Sequence, residues 1–268
     1  MPDSNDKSII YTDEDQVLPV LHTLAFGTAC AFTVKAANKE TRNEDSIALI
    51  PFDKHRGIIV VADGVGGHAK GGDASQIAVH ALNKAISEYG ESNGDLRDAI
   101  LRGIDNANEQ ILAMQSGSAT TIVIAEIIGD QIRSYHAGDS VALITGQRGR
   151  LKYQTIAHSP VGYAVESGML NEAQAMSSDE RHLVSNIVGC SDMRIEIGPQ
   201  LRLAKHDTVL LCSDGATDNL LIDEILDHIR KGSLLDAGHY LLNTCLEKMQ
   251  HAEGHIDDLS VVLFRPGR

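Results

Sequence analysis

Short runs rich in isoleucine and valine recur along the chain, at residues 46–50, 57–62, 120–128, 131–136, 141–145, 194–197, 208–212 and 259–264. Their length and β-branched content predict strands rather than helices. Residues 120–128, the Gly129-Asp130 turn and residues 131–136 read together as a hairpin. Between the second and third runs the period changes. Residues 74–89 place Ile77, Ala78, Ala81, Leu82, Ala85 and Ile86 on one face of a helix. Residues 96–114 do the same with Leu96, Ile100, Ile104, Ala107, Ile111 and Met114, and a second helix pair is predicted at 219–230 and 233–250. Residues 17–34 are the most apolar stretch, but Pro19, His22 and several small polar residues predict a core strand rather than a membrane span. Residues 1–16 are polar and acidic and read as a loosely attached tail without the pattern of a signal peptide. Strands fall in consecutive groups and helices in pairs. That order predicts a layered α+β fold of antiparallel sheets covered by helix pairs, in one domain over residues 17–268.

Composition narrows the classes of partner. The formal net charge is −14, and aromatics make up 4% of the chain with no tryptophan. A nucleic-acid backbone would be repelled, and no stacking platform for bases is present. The four cysteines, Cys30, Cys190, Cys212 and Cys245, have neither CxxC nor zinc-ligand spacing. They read as reduced thiols of a cytosolic protein.

The acids follow the strand pattern. Glu44 and Asp45 open a strand in RNEDSIALI, and Asp63 closes one in IIVVADG. Asp139 follows a strand in IRSYHAGDS, Asp214 follows one in TVLLCSDG, and Asp257 and Asp258 precede the last in HIDDLSVVLF. Any one of them reads as an ordinary turn residue. Unpaired charge at the rim of an apolar core is costly, however, so five sites sharing this context predict convergence on a cation. An all-oxygen set suits Mg²⁺ or Mn²⁺ rather than zinc. Two such ions roughly 3.5–4 Å apart can bind a water between them and supply a hydroxide. The glycines of GVGGHAKGG fit neither the dinucleotide fingerprint nor the P-loop spacing. Gly64, Gly66 and Gly67 instead read as the means of turning the chain tightly, and Asp73 as an acid near the positive end of the next helix.

In order along the chain, RNEDS, VVADGVGGHAKGGDAS, GSATTIVIA, HAGDS, LLCSDGATDNL and HIDDLSVVLF resemble the motifs of metal-dependent protein serine/threonine phosphatases of the 2C type. Residues 159–189 resemble the flap of bacterial members. The resemblance implies a four-layer α-β-β-α sandwich with two, or three, Mn²⁺ or Mg²⁺ ions between the sheet edges. It implies that Asp63 bridges two ions, that the Gly64 carbonyl completes one, and that Asp214 and Asp257 hold the second. Asp257 and Asp258 exchange roles in the alternative alignment. Glu44 and Asp45 match an acidic pair that binds metal directly or through water, and Asp139 with Asp214 matches a third, weaker site. The implied reaction is hydrolysis of phosphoserine and phosphothreonine on proteins by a hydroxide held between the ions, without a covalent phosphoenzyme. The implied setting is a cytoplasmic monomer, away from membranes and nucleic acid, opposing a serine/threonine kinase.

Three positions depart from the family pattern. Glu40 stands where an Arg usually contacts substrate phosphate, Val65 stands where some relatives carry a His, and Val141 follows Gly-Asp-Ser where an Arg is common. Lys39 and Arg42 are the candidates for phosphate contact, weighed evenly against being surface charges. His68, three residues beyond Val65, reads as a loop or capping residue. The missing Arg motivates a rival reading, a weak or inactive module of this fold that serves signalling or as a scaffold.

Overall fold

The computed structural model describes residues 7–24, 26–65, 71–91, 95–251 and 254–267. The chain opens with β1 (Ile9–Thr12), β2 (Gln16–Leu24), β3 (Gly27–Val34), β4 (Ser46–Pro51), β5 (Arg56–Ala62) and the short β6 (Gly64–Val65). Helices α1 (Gly71–Glu91) and α2 (Leu96–Ala113) follow, then β7 (Ala119–Thr120), β8 (Ile122–Ile128), β9 (Gln131–Ala137), β10 (Val141–Thr145) and β11 (Leu151–Gln154). The flap carries α3 (Pro160–Glu166) and α4 (Glu172–Met176). The remainder comprises β12 (Glu196–Ile197), β13 (Leu201–Arg202), β14 (Thr208–Cys212), α5 (Asp214–Thr217), α6 (Ile222–Ile229), α7 (Leu234–Met249) and β15 (Leu259–Pro266).

Two antiparallel sheets form the centre. One runs β1-β4-β5-β8-β9-β12, with β13 also paired to β9, and the other runs β11-β10-β14-β15-β3-β2. Three apolar clusters separate four layers: α1 and α2 on the first sheet, sheet on sheet, and the second sheet on α6 and α7. This is the predicted α-β-β-α sandwich. Both faces of the central strands are covered, which explains their unbroken apolar runs. In β4, Ile47 and Leu49 enter the inter-sheet core while Ala48 and Ile50 pack under the helices. Each large side chain so buried contributes about 1.5–3 kcal/mol. No helix among the described residues is long and apolar enough to cross a membrane.

Four differences from the sequence expectation have local causes. Within the expected tail, Ile9–Thr12 forms an edge strand paired to β4, and Tyr11 reaches the inter-sheet core and hydrogen-bonds His22 at 2.7 Å. The acids at 13–15 mask that short apolar run. The expected single strand at 17–34 is a hairpin, β2 on β3. The helix expected at 219–230 covers Ile222–Ile229, starting later because the Asn219 side chain bonds the Gly215 carbonyl and both backbone groups of His255 ahead of it. In the stretch 194–197, strand pairing is confined to Glu196–Ile197.

Candidate metal centre

Strand register brings the acids to one end of the sandwich. Ser46 lies opposite Ala62, so the residues on either side, Asp45 and Asp63, emerge together. Cys212 opposite Val261, and Ile122 opposite Ala137, bring Asp214, the Asp257-Asp258 pair and Asp139 to the same edge. Asp45 is 2% exposed and Asp139 is 8% exposed.

Their electrostatics are those of crowded carboxylates. Burial raises the Asp63 pKa well above the usual carboxylate value, and the charges of Asp214, Asp45, Asp257 and Asp139 add to it. Asp139 is raised by burial and by Asp214, Asp218 and Asp257. Asp45 is raised by burial and by Asp258, with hydrogen bonds from Ser213 and Ser260 opposing. Asp214 is pushed up to about 6 by burial and Asp218, and Asp257 to about 7 by burial and Asp214. Asp257 is itself exposed to solvent, and water tempers its shift.

Neighbouring residues fix the backbone around Asp63. The Asp63 N–H donates to Thr121 Oγ1 at 3.1 Å, and its carbonyl accepts the Thr121 N–H and the Thr120 hydroxyl, each at 2.8 Å. Gly64 is required by close approach, since a Cβ there would lie 2.3 Å from the Gly71 carbonyl. Asp45 Oδ2 accepts the Ser213 hydroxyl at 2.7 Å.

The two aspartates of HIDDLS separate. Asp258 is 3% exposed, and its carboxylate accepts the Ala36 and Glu44 N–H groups at 2.8 and 2.7 Å and Lys39 Nζ at 2.6 Å. It therefore ties the chain before β4 to the start of β15 while its charge adds to the shifts of Asp45 and Asp214, whereas Asp257 adds to that of Asp63 and is itself raised by Asp214. Lys39 also pairs with Glu44 Oε2 at 2.8 Å. Arg42 pairs with Asp73 in the first turn of α1. Both expected phosphate contacts thus face carboxylates, and Glu40 is exposed. Gly66, Gly67 and His68 lie outside the described residues.

Sequence reading missed Asp218, one helical turn beyond Asp214. Its pKa is raised to about 6 by burial, with Arg181 opposing and Asp257 reinforcing the shift. The i, i+4 spacing in SDGATDNL was its only signal. Asp139, Asp214 and Asp218 line a cavity of about 390 Å³, together with Arg181, Val165 and Leu221. The flap helices close one side of this cavity.

Glu44 Oε1 and Asp139 Oδ1 are buried and have no hydrogen-bond partner. Unpartnered carboxylate oxygens beside mutually repelling acids fit hard divalent cations, which take oxygen ligands and offset the repulsion.

A family model described as protein phosphatase 2C matches residues 34–249. The chain is 28% identical over 236 residues to protein phosphatase PhpP of Streptococcus pneumoniae, covering 84% of this chain and 92% of the relative. Among solved structures it resembles the serine/threonine phosphatase of S. agalactiae, with 27% identity, a TM-score of 0.76, and 88% and 98% of the two chains covered. The fold also matches the catalytic domain of the serine threonine protein phosphatase PstP, solved in complex with two manganese ions. There the identity is 24%, the TM-score 0.73, and the coverage 90% of this chain and 98% of that one.

Proposed function

The chain belongs to the protein phosphatase 2C family, and on that premise we propose that Asp63, Asp214, Asp257, Glu44 and the Gly64 carbonyl hold Mn²⁺ or Mg²⁺ for hydrolysis of phosphoserine and phosphothreonine on proteins. It is a protein serine/threonine phosphatase of the 2C type, and its substrates are phosphoproteins. The manganese ions of the PstP complex support the choice of cation. Asp139 is proposed as ligand to a third ion with Asp214, and Asp45 as a ligand through water. When bound, the cations supply Lewis-acid activation of water and neutralise charge on the phosphoryl oxygens.

The chain's own part is positioning and proton holding. Thr120 and Thr121 hold the Asp63 backbone rigid, and Ser213 orients Asp45. Cys212 is fully buried and its pKa is raised by burial, which fits a packing role rather than a nucleophile. One observation carries the reading: crowded, mutually repelling carboxylates at one sheet edge, with unpartnered buried oxygens on Asp139 among them and on Glu44 beside them. A cytoplasmic setting is supported by the four free thiols, and a monomer opposing a kinase completes the proposal.

The test is turnover of a phosphopeptide and of p-nitrophenyl phosphate with Mn²⁺, with EDTA, and with Asp63→Asn. Activity is expected only with the metal. The variant is expected to lose at least about a hundredfold, the upper end of what loss of even an outer metal partner costs. Turnover that persists in EDTA would rule the reading out. The engagement of Lys39 and Arg42 by acids favours the scaffold alternative; metal binding without turnover on any phosphopeptide is its signature.

A further inference from the structure

His136, His158 and Glu196, none of them a member of the acid cluster, bring nitrogen and carboxylate oxygen atoms within 4.8 Å of one another. By composition this is a transition-metal set. Hydrogen bonds assign His158 a different task. Its Nδ1 faces two donors, the Gly138 N–H at 3.2 Å and Asn186 Nδ2 at 2.9 Å. The Asn186 amide is itself fixed, because Nδ2 donates to the Arg194 carbonyl and Oδ1 accepts the Arg194 N–H. With Nδ1 accepting, Nε2 carries the proton and donates it to Glu196 Oε2 at 3.1 Å. Neither nitrogen then has a lone pair for a metal. The His136 ring stacks on His158 at 4.3 Å with 18° between planes, so in-plane lone pairs run side by side instead of converging.

What His158 grips is backbone. Its N–H donates to the Gly138 carbonyl at 2.9 Å while the Gly138 N–H returns to its ring, so both polar groups of Gly138 go to one residue. Its carbonyl accepts the Ser185 N–H at 2.7 Å and the Ser185 hydroxyl at 3.0 Å. Gly138 is pinned from the other side too: its φ is +115°, and a Cβ would lie 2.5 Å from Thr121 Cβ. Thr121 is the residue that holds the Asp63 backbone, and its hydroxyl also meets Ser140 at 2.7 Å. The turn carrying Asp139 is thus clamped between His158 and Thr121.

We propose that His158 is a positioning residue for Asp139. It locks the β9–β10 turn, and it joins that turn to both ends of the flap, at His158 itself and at Ser185-Asn186. The flap and the third-ion position then share one anchor. This rests on the reading of Asp139 as a ligand to that third ion.

The test is Mn²⁺ calorimetry on the full chain, comparing wild type, His158→Ala, His158→Asn, Asp139→Ala and the His158→Ala/Asp139→Ala double variant. The Asn side chain offers a carbonyl oxygen near the position of Nδ1. His158→Ala is expected to weaken the weakest ion about tenfold and to spare the tighter two. His158→Asn is expected to recover most of the loss, and the double variant to match Asp139→Ala alone. Multiplying effects, equal weakening of every ion, or no third ion in wild type would each overturn the proposal. If the ions bind as expected but no phosphomonoester is hydrolysed, the anchor stands and the phosphatase reading falls.

Discussion

Lys39 Nζ sits between Glu44 Oε2 at 2.8 Å and Asp258 Oδ2 at 2.6 Å, while Asp258 is almost wholly enclosed. Burial works against the lysine charge, but the hydrogen bonds and charges of the two acids outweigh it and raise the pKa. Lys39 therefore pairs a buried carboxylate that also holds the Ala36 and Glu44 backbone. Lys39→Met is expected to lower stability by about 1.5–3 kcal/mol, the contribution of a charged hydrogen bond whose partner is then stranded. Urea titration measures that loss, and KM for p-nitrophenyl phosphate is expected to stay unchanged. A raised KM without loss of stability would instead make Lys39 a substrate contact.

At the scale of elements, the flap is docked rather than free. Glu172 at the start of α4 accepts the Ile222 N–H that opens α6, at 3.1 Å, and the Met176 carbonyl pairs with His255 Nε2 at 3.1 Å. These bonds hold α4 over the cavity lined by Asp139 and Asp214. Glu172→Ala removes one anchor worth about 0.5–1.5 kcal/mol. Steady-state kinetics are expected to show a higher KM for a phosphopeptide and an unchanged KM for p-nitrophenyl phosphate. Equal changes for both substrates would argue against a role for the flap in recognising protein.

Across the whole molecule, the acid cluster couples pH to stability. Asp214 and Asp257 have folded pKa values of about 6 and about 7, above the ordinary carboxylate value of about 4. Between about pH 4 and 7 the ion-free folded chain holds protons that the unfolded chain has released, so these groups stabilise it at low pH and lose that contribution as pH rises through 6 and 7. In the proposed site divalent cations bind the ionised acids, so the stabilisation they supply is expected to grow over the same interval. Melting curves from about pH 5 to 8 are expected to diverge, with Mn²⁺ raising the melting temperature more at each higher pH than EDTA-treated protein allows. Parallel curves would count against cation binding at these carboxylates.

Strand and helix positions were legible in the sequence because a central strand covered on both faces must be apolar throughout, and a covered helix must repeat every three to four residues. The acids were legible as a set because each interrupts such a run at its end. Local spacing could not say which of two adjacent aspartates turns inward. That choice depends on Ala36, Lys39 and Glu44, which lie more than two hundred residues before Asp258 in the chain. The same limit hid Asp218, whose charge acts on nearby Asp214 but joins the wider cluster because the sheets bring Asp257 and Asp139 beside it. It also hid His158, an unremarkable loop residue until folding brings Gly138, Ser185 and Asn186 around it. Chemistry-bearing residue types and their place at strand ends come from the sequence alone; their partners come from register and sheet packing, because hydrogen bonds and charges act across space rather than along the chain.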